Sequence, residues 1–151
     1  MTSHSNITRK SAGSAHVTLK IRTSRRTELQ NITDEVASAV RASGCAHGVC
    51  HLYVPHTTAG VIINEGYDPS VADEIESEFN RLVPILKNSR HAEGNSDSHV
   101  KTALVGSSET IFIESGRLVL GQWQVIYFVD FDGPRHRELF VKIVPDPAQW
   151  I

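Results

Sequence analysis

The chain has 151 residues, 40% of them hydrophobic and 21% charged, with a formal net charge of −2. Those proportions belong to a folded domain that buries roughly 68–70% of its unfolded surface, and they exclude a disordered chain. The slight acidity, with no basic face implied, argues against a general nucleic-acid binder, and no apolar run approaches the roughly 20 residues that a membrane span needs.

Residues 1–15 are polar and carry no apolar signal-peptide core, so they read as a flexible lead before a single domain over residues 16–151. Cys45 and Cys50 are the only cysteines, and in a chain without an export signal they are expected as free thiols in a reducing cytoplasm. "HVTLKIRT" alternates Val17, Leu19 and Ile21 with polar neighbours, the period of a half-buried strand. "NITDEVASAVRASG" reads as a helix, with Thr33 as N-cap, acids at 34 and 35, Val36 and Val40 four apart, and Gly44 as the stop. In "GVCHLYVPH", Cys50, Leu52, Val54 and His56 share one strand face while Val49, His51 and Tyr53 share the other. "AGVIIN" continues as a short apolar strand.

"DPSVADEIESEFNRLV" is the best-signalled helix. Asp68 caps it, Pro69 takes the first helical position, and Val71, Ile75, Phe79 and Leu82 form its apolar stripe. After the polar loop "HAEGNSD", the stretch "SDSHVKTALVG" predicts a short helix capped by Ser96 or Asp97 and ending at Gly106. "ETIFIES" and "RLVLGQWQ" flank an "SGR" turn, "WQVIYFVDF" reads as a central strand buried on both faces, "DGPR" turns, and "HRELFVKIV" closes with Leu139, Val141 and Ile143 in alternation. The class is α+β: a mostly antiparallel sheet or sandwich with two or three helices.

Three stretches concentrate polar groups. In "HAEGNSDSHVKT", His91 and His99 are eight positions apart, not the four of a helical zinc pair, so they meet only if the loop folds back at Gly94; otherwise they are surface or capping residues. In "VPHTTAGVIINEGYD", Thr57 and Thr58 follow His56 at a strand end, and Asn64, Glu65 and Asp68 open the next helix. The alternative to a binding role is that Thr57, Thr58 and Asp68 satisfy turn and helix-start donors, the better reading for Asp68, but His56 and Glu65 have no such local task. In "LGQWQVIYFVDFDGPR", Gly121 suggests a bulge or a close approach, Gln122 and Gln124 share a side, Trp123 suits core packing, and Asp130 and Asp132 point together near Arg135.

Taken in order, "HTTAG", "NEGYDPSVADEI", "HAEGNSDSHVKTALVG" and "GRLVLGQWQVIYFVDFDGPR" closely resemble the YjbQ family of small cytoplasmic proteins, over about residues 16–144. The family pattern falls on His56 to Ala59, Asn64, Glu65, Asp73, His91, Gly94, Asn95, His99, Lys101, Gly121, Trp123, Gln124 and Arg135. Two departures stand out: Gln122 replaces the usual Thr before the Trp, and Ala92-Glu93-Gly94-Asn95 replaces a G-D-G-N loop.

Some members of that family are labelled secondary thiamine-phosphate synthases, where "secondary" marks a side reaction. The resemblance therefore implies a homotrimer with polar clefts and a transferase that joins a pyrimidine methyl diphosphate to a thiazole phosphate, releasing diphosphate. On that reading His99, Lys101 and Asp73 carry the chemistry. Thr57, Thr58, Asn64, Asn95, Ser98, Gln124 and Arg135 hold the phosphorylated substrate, and the helix start near Ser98 adds its amides. His56, His91, His99 and Glu65 are the expected ligands of a divalent metal, Mg²⁺ if carboxylates dominate and Zn²⁺ if the imidazoles do. The alternatives are a histidine-ligated metal protein or metal-dependent hydrolase, and a non-enzymatic trimeric binding module. Neither nucleic acid nor membrane is an expected partner.

Overall fold

The computed structural model of the protein describes residues 7–8 and 16–150. The expected lead over residues 1–15 lies outside the described residues, apart from a two-residue strand β1 (Ile7–Thr8). The alternating segments form β2 (Val17–Arg22), β4 (Gly48–Tyr53), β6 (Ser108–Glu114), β7 (Arg117–Leu118) and β9 (His136–Pro145), which join β1 in one sheet of order β1-β2-β9-β4-β6-β7. The second sheet has the order β3-β8-β5, from β3 (Glu28–Asn31), β8 (Gln124–Asp130) and β5 (Ala59–Glu65). Every pairing is antiparallel.

The two sheets enclose the main core. Leu19, Ile21, Cys50, Leu52, Ile111, Ile113, Leu139 and Val141 point inward from the wide sheet and meet Val61, Ile126 and Phe128 of the narrow one, together with Val36 and Val40 of α1 (Thr33–Ser43). The opposite face of β8 presents Tyr127 and Val129, with Phe131 just beyond the strand, to a second cluster. That cluster lies under α2 (Pro69–Leu82) and α3 (Ser96–Val105), through Ala72, Phe79 and Val105. β8 is thus buried on both faces, as its unbroken apolar run predicts, and the α+β class with three helices holds.

Local details differ from the sequence reading in four places. Thr33 is the first residue of α1 rather than its cap: Asn31 Oδ1 accepts from the Thr33 amide, and Thr33 Oγ1 accepts from the Ile126 amide of β8. A side chain two residues before the helix can reach the same orphan N–H groups, and so displaces the nearer candidate. α3 follows Asn95 rather than Ser96 or Asp97, because the Asp97 carboxylate is turned into an ion pair instead. The stripe of α2 runs through Ala72 and Phe79, the latter edge-on to Phe131 at 5.3 Å, and leaves Leu82 64% exposed. "RLVLGQWQ" stays in the wide sheet only for Arg117–Leu118; it then crosses to the narrow sheet, turning at Gly121–Gln124. The Asp68–Pro69 helix start and the Ser115–Gly116 turn match their signals. Both turn residues have positive φ (49° and 72°), the geometry that suits the right-handed twist of the flanking strands.

Candidate functional site

Two buried ionic clusters lie at one end of the narrow sheet, around the start of α3. In the first, Arg137 sits at an inward position of β9, in register with Leu139 and Val141. Its Nε and Nη2 donate to Asp130 at 3.1 and 2.8 Å, and Nη2 also donates to Thr58 Oγ1 at 2.7 Å. Asp130 is fully buried and accepts further from Thr23 Oγ1 at 2.7 Å and from the Asp132 amide. In the second cluster, Asp97 takes a two-pronged hydrogen bond from Arg26, both arms 3.0 Å, and one from Lys101 Nζ at 3.1 Å. Lys101 is 1% exposed, and its ammonium also donates to Asn80 Oδ1 of α2 at 2.8 Å. Charges this deep persist only when paired and hydrogen-bonded, and these are.

A third, more open chain of contacts joins the polar loop to the end of β8. Arg135 Nη2 donates to Asp132 Oδ2 at 2.9 Å, and Asn95 Nδ2 donates to the same oxygen at 2.8 Å and to Glu93 at 3.3 Å. Glu93 lies 3.7 Å from His91 Nε2, and the His91 ring stands edge-on to His99, centroids 5.1 Å apart. The loop therefore does fold back at Gly94, whose φ is +70°. With both carboxylates on its NH₂ side, the amide orientation of Asn95 is set. Among the described residues its buried Oδ1 has no hydrogen-bond partner, in a residue 5% exposed.

Burial raises the Asp97 carboxyl, but the hydrogen bonds from Arg26 and Lys101 outweigh it and the net shift is downward; Asp132 behaves likewise under Asn95 and Arg135. A carboxyl depressed in the folded state adds stability that is complete above its unfolded value of about 3.9 and is lost as pH falls through the folded value. The thermal midpoint should therefore drop steeply below about pH 4, and Asp132→Asn should remove part of that slope in melts from about pH 6 to about pH 2.

The remaining site candidates fall elsewhere. His56 has a structural task after all. Pro55 ends β4, and the His56 Nε2 accepts the Glu138 amide of β9 at 2.9 Å in place of the lost strand. That leaves the ring's proton on Nδ1, and burial followed by the nearby Arg137 holds His56 below the ordinary imidazole value. Ser98 is fully buried and donates to the Phe131 carbonyl at 2.6 Å; Thr58 is held by Arg137, and Thr57 is exposed beside it. Asp73 is exposed on α2, where its charge reaches Arg25. Asn64 accepts from the Glu65 amide, the Glu65 carbonyl accepts from Tyr127, and Gln124 Oε1 closes the turn onto the Gly121 amide, so that turn accounts for Gly121 without a bulge. Trp123 packs on Tyr67 at 4.8 Å in the open rather than in the core.

Asn64, Glu65 and Gln124 lie at the far end of β5 and β8, where Glu65 pairs with Gln124; Ala59 pairs with Asp130 at the near end. Seven residues of strand, about 20 Å, separate the two groups. Among the described residues of one chain, no three His, Cys, Asp or Glu side chains group so as to hold a metal ion. Cys45 and Cys50 are free and buried, with the Cys50 thiol pushed up to about 12 by burial and by Cys45 beside it.

Arg26, Asp97, Asn80, Thr23 and Arg137 escaped the sequence reading as site residues. Only Arg137 left a clear trace there: an arginine at the inward register of an apolar strand needs a buried partner.

Fold and site together define a class: an α+β protein of two antiparallel sheets, with ionic clusters at a helix start and a strand end. The family described as UPF0047 protein YjbQ-like matches residues 17–146, and the chain belongs to it. It is similar to a UPF0047 protein of Methanocaldococcus jannaschii, 50% identical over 127 residues that span 84% of this chain and 92% of the relative. The UPF0047 protein YugU of Bacillus subtilis is 43% identical over 128 residues, 84% of this chain and 97% of that one. A crystal structure of a YjbQ/UPF0047 protein from Clostridium acetobutylicum superposes with a TM-score of 0.82 at 45% identity, covering 84% of this chain and 98% of its own. Among the described residues, no helix is long and apolar enough to cross a membrane.

Proposed function

We propose that the polar surface beside the start of α3 binds a phosphorylated small molecule, and that the protein is a thiamine-phosphate-synthase-like transferase. The observation that carries this reading is the unpartnered Asn95 Oδ1, buried within the run Arg135–Asp132–Asn95–Glu93–His91–His99. A buried acceptor without a donor invites a ligand N–H or a hard cation. In the transfer, the bond between the pyrimidine methylene carbon and the diphosphate oxygen breaks, and its electron pair leaves with diphosphate. The thiazole nitrogen then supplies the pair for the new C–N bond. Arg135 and His99 would stabilise the departing oxygens, and Asn95 Oδ1 suits the exocyclic amine of an aminopyrimidine.

Of the two metals expected, the carboxylate oxygens of Glu93 and Asp132 favour Mg²⁺. When bound there, it would neutralise charge on the diphosphate. His56 does not join a zinc site while its Nε2 holds the Glu138 amide. The homotrimer belongs to the same reading. Asn64, Glu65 and Gln124 lie about 20 Å along the strand from the α3 end, beside the exposed Tyr67–Trp123 pair, and a neighbouring copy in a closed ring would bring the two groups together.

Incubation with the pyrimidine diphosphate, the thiazole phosphate and Mg²⁺ should yield thiamine phosphate and diphosphate in equal amounts. Arg135→Ala and His99→Ala should each lower the rate by about 100-fold or more. Absence of product, with stoichiometric zinc lost on replacing His91 or His99, would favour the metalloprotein instead. Absence of both, in a stable trimer, would leave a binding module.

A further inference from the structure

A groove of about 640 Å³ opens where β2 and β9 run beside the Pro55–His56 corner, a volume that fits a small ligand. Arg137 forms part of its lining and is 7% exposed. The two-pronged hold of Asp130 fixes the guanidinium through Nε and Nη2. The guanidinium is thereby committed to Asp130, and Arg137, at an inward position of β9, brings the groove no free cation. The imidazole of His56 lines the same space, and with Nε2 holding the Glu138 amide its remaining ring nitrogen is a donor.

The rim adds charge. Arg22 and His136 occupy directly opposite positions on β2 and β9, and Lys20 faces Glu138 two pairs further along. Arg22, Lys20 and His136 are exposed and form no ion pair or side-chain hydrogen bond among the described residues. Glu138 is the single carboxylate in the lining, against two unpaired cations. On a chain of net charge −2 this is a local excess of positive charge beside the fixed imidazole of His56. Two cations and a neutral N–H donor at one opening suit a phosphate of nearly two negative charges better than a singly charged carboxylate.

We propose that this groove binds the phosphate group of a small phosphorylated ligand, with His56 as the fixed donor and Arg22 and Lys20 as cations at the rim. It is a second site, using none of the residues assigned to the surface beside the start of α3.

The test uses the full chain carrying Arg135→Ala, so that binding at the surface beside the start of α3 is weakened first. Inorganic phosphate and then diphosphate are titrated by calorimetry and thermal shift at constant ionic strength, with sodium chloride as the comparison. Saturable binding is expected, weakened by about 10-fold or more when Lys20→Ala and Arg22→Ala are added together. Both side chains are exposed, so unchanged unfolding midpoints without ligand should show that the fold is intact. No saturable binding in the Arg135→Ala chain, equal binding with and without the rim lysine and arginine, or a shift reproduced by chloride would each overturn the groove. None of these outcomes bears on whether the unsubstituted protein makes thiamine phosphate.

Discussion

Asp130→Asn is expected to lower the stability of the protein by about 3–5 kcal/mol, the usual consequence of leaving a buried charge without its partner. The carboxylate is fully buried and balances Arg137, itself 7% exposed, which no other acid among the described residues pairs with. The amide keeps the shape but not the charge. One of its two terminal atoms becomes a donor, set against either Arg137 or the Thr23 hydroxyl, which now donates to Oδ2. For a domain of this size the loss corresponds to a fall of roughly 6–20 °C in Tm. Thr23→Val removes the hydroxyl that donates to Asp130 and accepts the Arg135 amide but leaves the ion pair, so it should cost less, about 1–2 kcal/mol. Urea melts of both variants check the contrast. A loss below about 1 kcal/mol for Asp130→Asn would mean that water reaches Arg137 and that the cluster is not sealed.

Asp97→Ala should be as severe, about 3–5 kcal/mol, because it strands Lys101 and releases Arg26 together. Lys101→Met should cost less, since Asp97 keeps both arms of Arg26 and the longer side chain fills a similar volume. The useful comparison is the double variant. If the penalty of Asp97→Ala is chiefly that of an unpaired buried ammonium, adding Lys101→Met should restore part of the lost stability. A double variant no more stable than Asp97→Ala alone would place the penalty on Arg26 and the packing of α3 instead. Neither experiment depends on what the protein binds. Both decide whether Lys101 is mainly a member of a structural clasp between α2 and α3, as its two hydrogen bonds suggest, or is free to meet a substrate.

Elements whose signal is local were legible. Asp68 and Pro69 started α2 because a cap needs only a side chain two residues from the amide it satisfies. β8 was recognisable as central because both of its faces had to be covered, whichever elements covered them. The fold-back of the polar loop was foreseeable only as a condition on Gly94, and the His91–His99 contact meets it. By contrast, the cap of α1 moved by two residues, and Leu82 fell off its stripe. In both cases a tertiary neighbour, the β8 amide at Thr33 or the placement of α2 over Phe131, outweighed a preference of a few tenths of a kcal/mol to about one.

What the chain determined by itself was the class of fold, its strand faces and its membership of the YjbQ-like family, since periodicity and motif order are properties of the linear string. Which polar residues meet was decided only in three dimensions. Thr23 and Asp130 are 107 positions apart, Thr58 and Arg137 are 79, and Arg26 and Asp97 are 71. No spacing rule links such pairs, because they are selected by the desolvation of charges at the sheet end and under α2 and α3. For the same reason His56, marked by sequence as a metal ligand, holds a strand amide in this chain: Pro55 broke the ladder, and the nearest imidazole satisfied the exposed N–H.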